Sequence, residues 1–270
     1  MFGVYHFIWL GICALLAALA AAYLRRHKPP LRRVLGWACA GCVLSEVVKI
    51  LSVIELVPSA DGSRFYPYLE LAHLPFHLCS AQIALIFYAR YAKDGPARTV
   101  VLAFMYPSCL IGALMAIVIA TTFGSSADFA EAFLRPLTYQ YFLYHTMLVV
   151  LGLYIPLSRE VELRPRHYLS TMAIVVAAGF VSFYLNSAFA VPVYSAGELL
   201  SVEYTTNFLY TFAPPVDFIR LTEPWHWYAY VLALGALAAL LVALLYIPVF
   251  RRAKNPARGE KLFTTSARHI

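Results

Sequence analysis

The sequence predicts an all-α protein that crosses a membrane seven times, and two observations carry that prediction. The first is composition: the 270 residues are 61% hydrophobic, with a mean hydropathy of +0.70. A soluble domain cannot hide that much apolar surface. The second is spacing. The apolar residues fall into seven runs, each near the ~20 residues a helix needs to cross the hydrocarbon core. No period-two alternation marks barrel strands, so each run must satisfy its own backbone as a helix.

The runs cover roughly residues 4–24, 34–57, 74–92, 99–120, 138–156, 168–191 and 225–250. The first does not read as a cleavable signal, because no basic residue precedes it and no small-residue cleavage site comes after it. It leads instead into the basic stretch Arg25-Arg26-His27-Lys28-Pro29-Pro30-Leu31-Arg32-Arg33. Such basic residues gather on alternate loops. Residues 25–33, 90–98, 157–167 and the tail after Phe250 hold 17 of the 21 lysines and arginines. The opposite loops hold only Arg64, Arg135 and Arg220. The positive-inside rule then puts the N-terminus outside and the C-terminus inside.

This placement also accounts for the formal net charge of +7 without a nucleic-acid partner. Residues 1–250 read as one transmembrane domain, and residues 251–270 as a disordered basic tail against an anionic leaflet. The long stretch 192–224 carries Pro192, Pro214 and Pro215 among aromatics, and is expected to form an ordered lid or a re-entrant segment. Trp225, Trp227 and the neighbouring tyrosines read as an interfacial aromatic belt, with His226 among them. All five cysteines lie in apolar runs and read as small buried hydrophobes. The Cys39–Cys42 CxxC has no second pair, so it is read as packing rather than a zinc or redox motif.

Polar residues inside the spans mark a functional site, because ionisable groups are costly in a bilayer. Glu46 and Lys49 lie in the second span, and His77, Cys79 and Gln82 in the third. Tyr141 and His145 lie in the fifth, and Asn186 in the sixth. At about 1.5 Å of rise per residue, most fall within roughly 5–17 Å of the outer boundary. Glu46 and Lys49 share a helix face, as do Tyr141 and His145. If the third span is helical from residue 74, His73, His77 and Ser80 form one stripe, and Phe76 and Cys79 another. His77 and Cys79 are then about 160° apart. They do not form a dyad, and His145 is the natural base for Cys79.

Four patches resemble a known family. Leu44-Ser45-Glu46-Val47-Val48-Lys49 is similar to an acidic-then-Lys pattern in its second span. Leu74-Pro75-Phe76-His77-Leu78-Cys79 resembles its Leu-Pro-Leu-His-Leu-Cys signature. Tyr139-Gln140-Tyr141-Phe142-Leu143-Tyr144-His145 is similar to its aromatic run ending in His. Asn207, Pro214-Pro215 and Pro224-Trp225-His226-Trp227-Tyr228 resemble its Asn…Pro…Pro-Trp-x-Trp-Tyr segment. The family is the YwaF-type bacterial integral membrane proteins, with the eukaryotic transmembrane protein 164 group, an acyltransferase of phospholipid remodelling, more distant. The resemblance spans about residues 40–230. It implies a seven-helix fold and function at Glu46, Lys49, His77, His145 and Asn207. In the eukaryotic group a nucleophilic Cys immediately precedes the His of the third span. Here that position is Phe76, with Cys79 expected one turn deeper on the same face.

The expectation is a membrane-embedded lipid-modifying enzyme, acyltransferase-like and acting on phospholipid, in a bacterial inner membrane. His145, His77 and Cys79 would be catalytic. Glu46, Lys49, Tyr141, Asn186 and Asn207 would bind substrate. Two alternatives use the same residues. One is a metal-dependent lipid hydrolase in which His73, His77 and His145 supply imidazoles, against which stand Pro75 between the first two and the absence of an HExxH. The other is a proton-coupled transporter or receptor built on Glu46 and Lys49. No Walker motif, dinucleotide-binding glycine pattern or GxSxG occurs, so no cofactor is expected.

Overall fold

The computed structural model describes residues 3–120, 128–195, 197–216 and 219–254. Most of the expected basic tail, from residue 255, lies outside them. The described chain is mainly helical: α1 (Val4–His27), α2 (Leu31–Val53), α3 (Leu78–Tyr91), α4 (Pro96–Pro107), α5 (Ala113–Val118), α6 (Phe129–Phe133), α7 (Pro136–Leu157), α8 (Pro165–Phe189) and α9 (Pro224–Lys254). A π-helical turn, Ser108–Gly112, joins α4 to α5 into one rod, Pro96–Val118. Among the described residues, six helices are long and apolar enough to cross a membrane.

The third expected span differs from the rest. α3 has 14 residues, about 21 Å of rise, short of the ~30 Å hydrocarbon core. Its start is set by Pro75. Proline has no N–H and biases the preceding residue toward extended backbone. Leu74 accordingly sits at φ −62, ψ 148, and the helix begins only after His77, its N-cap. The expected His73–His77–Ser80 and Phe76–Cys79 stripes are therefore not formed. His73 belongs to a separate 3₁₀ turn, Leu71–His73.

α7 is the hub, packed against α1, α2, α4 and α5. Trp9 of α1 stacks on Phe142 of α7 at 4.8 Å between ring centroids. Gly152 lets α7 approach the π turn closely: a Cβ there would stand 2.8 Å from Leu110 N. Pro107 removes a backbone donor just before that turn, a usual cause of an interrupted helix. α8 and α9 are far less covered by protein than α7.

The two ends of the bundle differ. At the basic end, Arg32 donates to Arg90 O and Ala92 O, and Arg98 Nε donates to Ala89 O at 2.7 Å. These cations cap the negative C-terminus of α3. At the other end stand two hairpins that the helical periodicity does not reveal. β1 (Glu55–Pro58) pairs antiparallel with β2 (Phe65–Tyr68). β3 (Val191–Ser195) pairs with β4 (Glu198–Glu203). The first takes over residues 55–57, where the second span was expected to continue as helix; α2 stops at Val53.

Candidate functional site

The ion pair expected in α2 is present. Lys49 Nζ lies 2.8 Å from Glu46 Oε2 and 2.9 Å from Oε1. Its third donor reaches His73 O at 3.4 Å, which ties α2 to the turn before α3. The two side chains are 13% and 28% exposed, Lys49 being the more enclosed. Lys49 is also close enough to His77 for its charge to act on the ring. At the start of α3, His77 packs edge-on against Phe208, 5.1 Å between centroids, and lies 6.2 Å from Tyr210. Glu46, Lys49, His77 and the His73 carbonyl thus form one polar group roofed by residues far along the chain.

That roof is the strap 206–213. Asn186 of α8 is fully buried and holds it with both ends of its amide. Its Oδ1 accepts from Phe208 N at 2.8 Å and Thr206 Oγ1 at 3.1 Å. Its Nδ2 donates to Phe208 O and Thr211 Oγ1. Asn207 folds the strap on itself: Nδ2 donates to Ala213 O at 2.8 Å, and Oδ1 accepts from Phe212 N and Ala213 N. From α9, Trp227 Nε1 donates to Thr211 O and Tyr230 Oη to Tyr210 O. These bonds keep Leu209 and Tyr210 at positive φ, 53 and 56, a left-handed backbone that costs non-glycine residues energy.

Both asparagines, expected to bind substrate, therefore have their amides engaged by the chain itself. The belt expectation divides similarly. Trp225 and Tyr228 are exposed, whereas Trp227 is a strap anchor. His226 Nδ1 accepts from Glu223 N at 3.1 Å and caps α9.

The second polar group lies along α7. His145 is buried, its ring between Tyr141 and Tyr144 at 4.4 and 5.6 Å. Its Nδ1 lies 2.6 Å from Tyr141 O. A carbonyl only accepts, so Nδ1 carries a proton, and in the neutral ring the lone pair is then at Nε2. Nε2 makes no hydrogen bond among the described residues. Tyr141 Oη donates to Ala116 O at 2.7 Å, on α5. Tyr144 Oη donates to Cys79 O at 2.7 Å, linking α7 to α3.

Cys79 Sγ stands 3.8 Å from where a Gly112 Cβ would sit. Gly112 and Ala116 are four residues apart on one rod, so Cys79 and the Tyr141–His145 pair face the same stretch of it. No hydrogen bond joins Cys79 Sγ to His145 or His77 among the described residues. Sequence reasoning passed over Tyr144, Phe208 and Tyr230. Nothing in a sequence marks a Phe or Tyr as a contact between segments that are 20 to 131 residues apart. Gln82 is fully buried; its Nε2 donates to Ser108 Oγ at 2.9 Å and its Oε1 accepts from Cys109 Sγ at 3.2 Å. It fastens α3 to the π turn. The helical His73–His77 spacing needed for a three-imidazole metal site is absent. No group of three or more His, Cys, Asp or Glu suited to a metal occurs among the described residues.

Long apolar helices, a deeply placed acid–lysine pair and a buried imidazole define a polytopic integral membrane protein with a polar site inside its bundle. The chain matches the TMEM164 family over residues 1–246 and belongs to it. Neither the curated proteins nor the solved structures contain a match to it.

Proposed function

We propose that this protein is a membrane-embedded lipid-modifying enzyme, acyltransferase-like, whose substrate is a phospholipid from the leaflet at the hairpin end. That leaflet is the outer one if the basic loops lie inside, and the membrane would be the inner membrane of a bacterium related to the YwaF-type proteins. The observation that carries the reading is His145. It is a neutral imidazole fixed through Nδ1 on Tyr141 O, with Nε2 unbonded inside an apolar bundle. That is the form a general base needs.

In the transfer, Nε2 takes the proton from the attacking group, either the Cys79 thiol or the hydroxyl of an acceptor lipid. The new bond forms at the acyl carbonyl carbon, the carbonyl becomes an oxyanion, and its collapse breaks the bond to the donor oxygen. That oxygen leaves with the proton returned from Nε2; where Cys79 attacks first, the acceptor hydroxyl then gives its proton to Nε2 and attacks the thioester, and the thiol leaves with that proton. Lys49, held on Glu46 and backed by His73 O, supplies positive charge for the substrate phosphate. His77 lines the same compartment. Asn186 and Asn207 act at one remove by positioning Phe208 over it.

The test is lipid mass spectrometry on proteoliposomes given a tagged phospholipid, with wild type, His145→Ala and Cys79→Ser. New acylated lipid lost in both variants supports a Cys–His route. Loss in His145→Ala alone supports direct attack by the acceptor hydroxyl. No new lipid from folded wild type sinks the enzyme reading. The Glu46–Lys49 pair then favours proton-coupled transport, read as solute flux that needs Glu46 and a proton gradient.

A further inference from the structure

The three arginines at the α2–α3 end of the bundle are used unequally. Arg32 is spent on Arg90 O, Ala92 O and Asp94. Arg98 uses Nε on Ala89 O and Nη1 on Asp94, with only its Nη2 enclosed without an acceptor. Both have a structural task at the C-terminus of α3. Arg90 has none of that kind: its side chain makes no hydrogen bond and no ion pair among the described residues, and its Nε is enclosed without an acceptor. The nearby carboxylates are engaged elsewhere. Asp94 is bound by Arg32 and Arg98, and Glu160 accepts from Leu31 N at 2.7 Å.

The Arg90 guanidinium is nevertheless held in place. On one side its Cζ stands 5.2 Å from the Tyr91 ring centroid. On the other its Nε lies 3.3 Å from where a Cβ on Gly36 of α2 would sit. Arg33 is one turn from Gly36 on α2, exposed, and has no acceptor among the described residues either. Trp37, Tyr88 and Tyr91 around them are exposed. Such amphipathic rings suit the boundary between headgroups and chains. A fixed planar fork without a protein carboxylate, a second free arginine and an aromatic rim together match a phosphate at a membrane surface.

We propose that the groove between α2 and α3 at the basic end binds phosphate, as the headgroup of a membrane lipid, with Arg90 and Arg33 as its ligands. This site is at the opposite end of the bundle from His77 and does not depend on the acyltransferase reading.

The test is thermal unfolding of the full chain in neutral detergent. Phosphatidylglycerol, diacylglycerol with the same chains, or inorganic phosphate is added. Phosphatidylglycerol should raise Tm by about 3 °C or more. Arg90→Gln should cancel that rise, while Arg252→Gln, an equal loss of charge at the same end, should keep it. An equal rise with inorganic phosphate, also cancelled by Arg90→Gln, supports the site and makes its ligand a soluble phosphate. No rise, an equal rise with diacylglycerol, or a rise that survives Arg90→Gln overturns the proposal. If Arg90→Gln does not fold, Arg33→Gln decides, and an undiminished lipid shift in that variant overturns the proposal.

Discussion

The strap around Asn186 and the two polar groups, at Lys49 and at His145, lie toward the hairpin end, and all are rich in polar atoms. They use those atoms in opposite ways. Asn186 gives both amide protons and both sides of its oxygen to the strap, and Asn207 is similarly engaged. By contrast, His145 keeps Nε2 unbonded among the described residues, and Cys79 Sγ has no hydrogen bond to a base there. Saturated polar groups specify a backbone path, whereas groups with spare capacity are available to something else. Sequence depth alone puts both in one set of site residues. Hydrogen-bond accounting separates a scaffold from a candidate machine.

The strongest way to break this comparison is His145→Ala. If His145 is the base, acyl transfer in proteoliposomes falls on the order of 10²- to 10⁴-fold, while helical content by circular dichroism is unchanged. A variant that turns over normally removes His145 from the chemistry. Asn186→Ala should show the reverse emphasis. It leaves Phe208 N and the Thr206 hydroxyl without their acceptor, while Phe208 O and Thr211 Oγ1 keep other partners, costing about 2–4 kcal/mol and lowering Tm in detergent. Lost turnover would result from a displaced Phe208. An unchanged Tm would mean that the strap is held without Asn186.

Glu46→Gln tests the middle ground. Breaking a fully buried pair costs roughly 3–5 kcal/mol, and an exposed pair contributes about 0–1 kcal/mol. With Glu46 28% and Lys49 13% exposed, the expected loss is about 1 kcal/mol. The double variant Glu46→Gln with Lys49→Met should be less destabilised than the sum of the singles, because no unpaired ammonium remains. Strict additivity would show that the contact contributes nothing to stability.

The membrane-spanning class was legible because hydropathy and loop charge are summed over many residues. The α2 pair was legible because a three-residue spacing fixes a shared face wherever a helix forms. What escaped was local or long-range. The proline at 75 was legible as a threat to the His73–His77 spacing, but not its extent: it delays α3 until Leu78. The hairpins are short, with both faces exposed, so they carry no alternation of burial to betray them. The strap is assembled from α8, α9 and residues 206–213, and no periodicity links those segments. Trp227 shows the same limit: beside the exposed Trp225 it reads as belt, and only Thr211 O reveals its work.

The smallest expected effect is in the β1–β2 connection, outside the spans. The Ser59 and Ser63 hydroxyls and the Ser63 N–H converge on Asp61 and hold its carboxyl at about 2. An unfolded Asp titrates at about 3.9. The folded value is depressed, so this contribution is complete above the unfolded pKa and is lost as pH falls through the folded one. Hydrogen-exchange protection of residues 55–68, corrected for intrinsic rate, should therefore weaken as pH drops from about 4 to about 2. In Asp61→Asn that dependence should vanish, with no change in Tm. The side chain is fully exposed, so it orders its own turn and carries none of the bundle. The same slope in both proteins would take the effect away from Asp61.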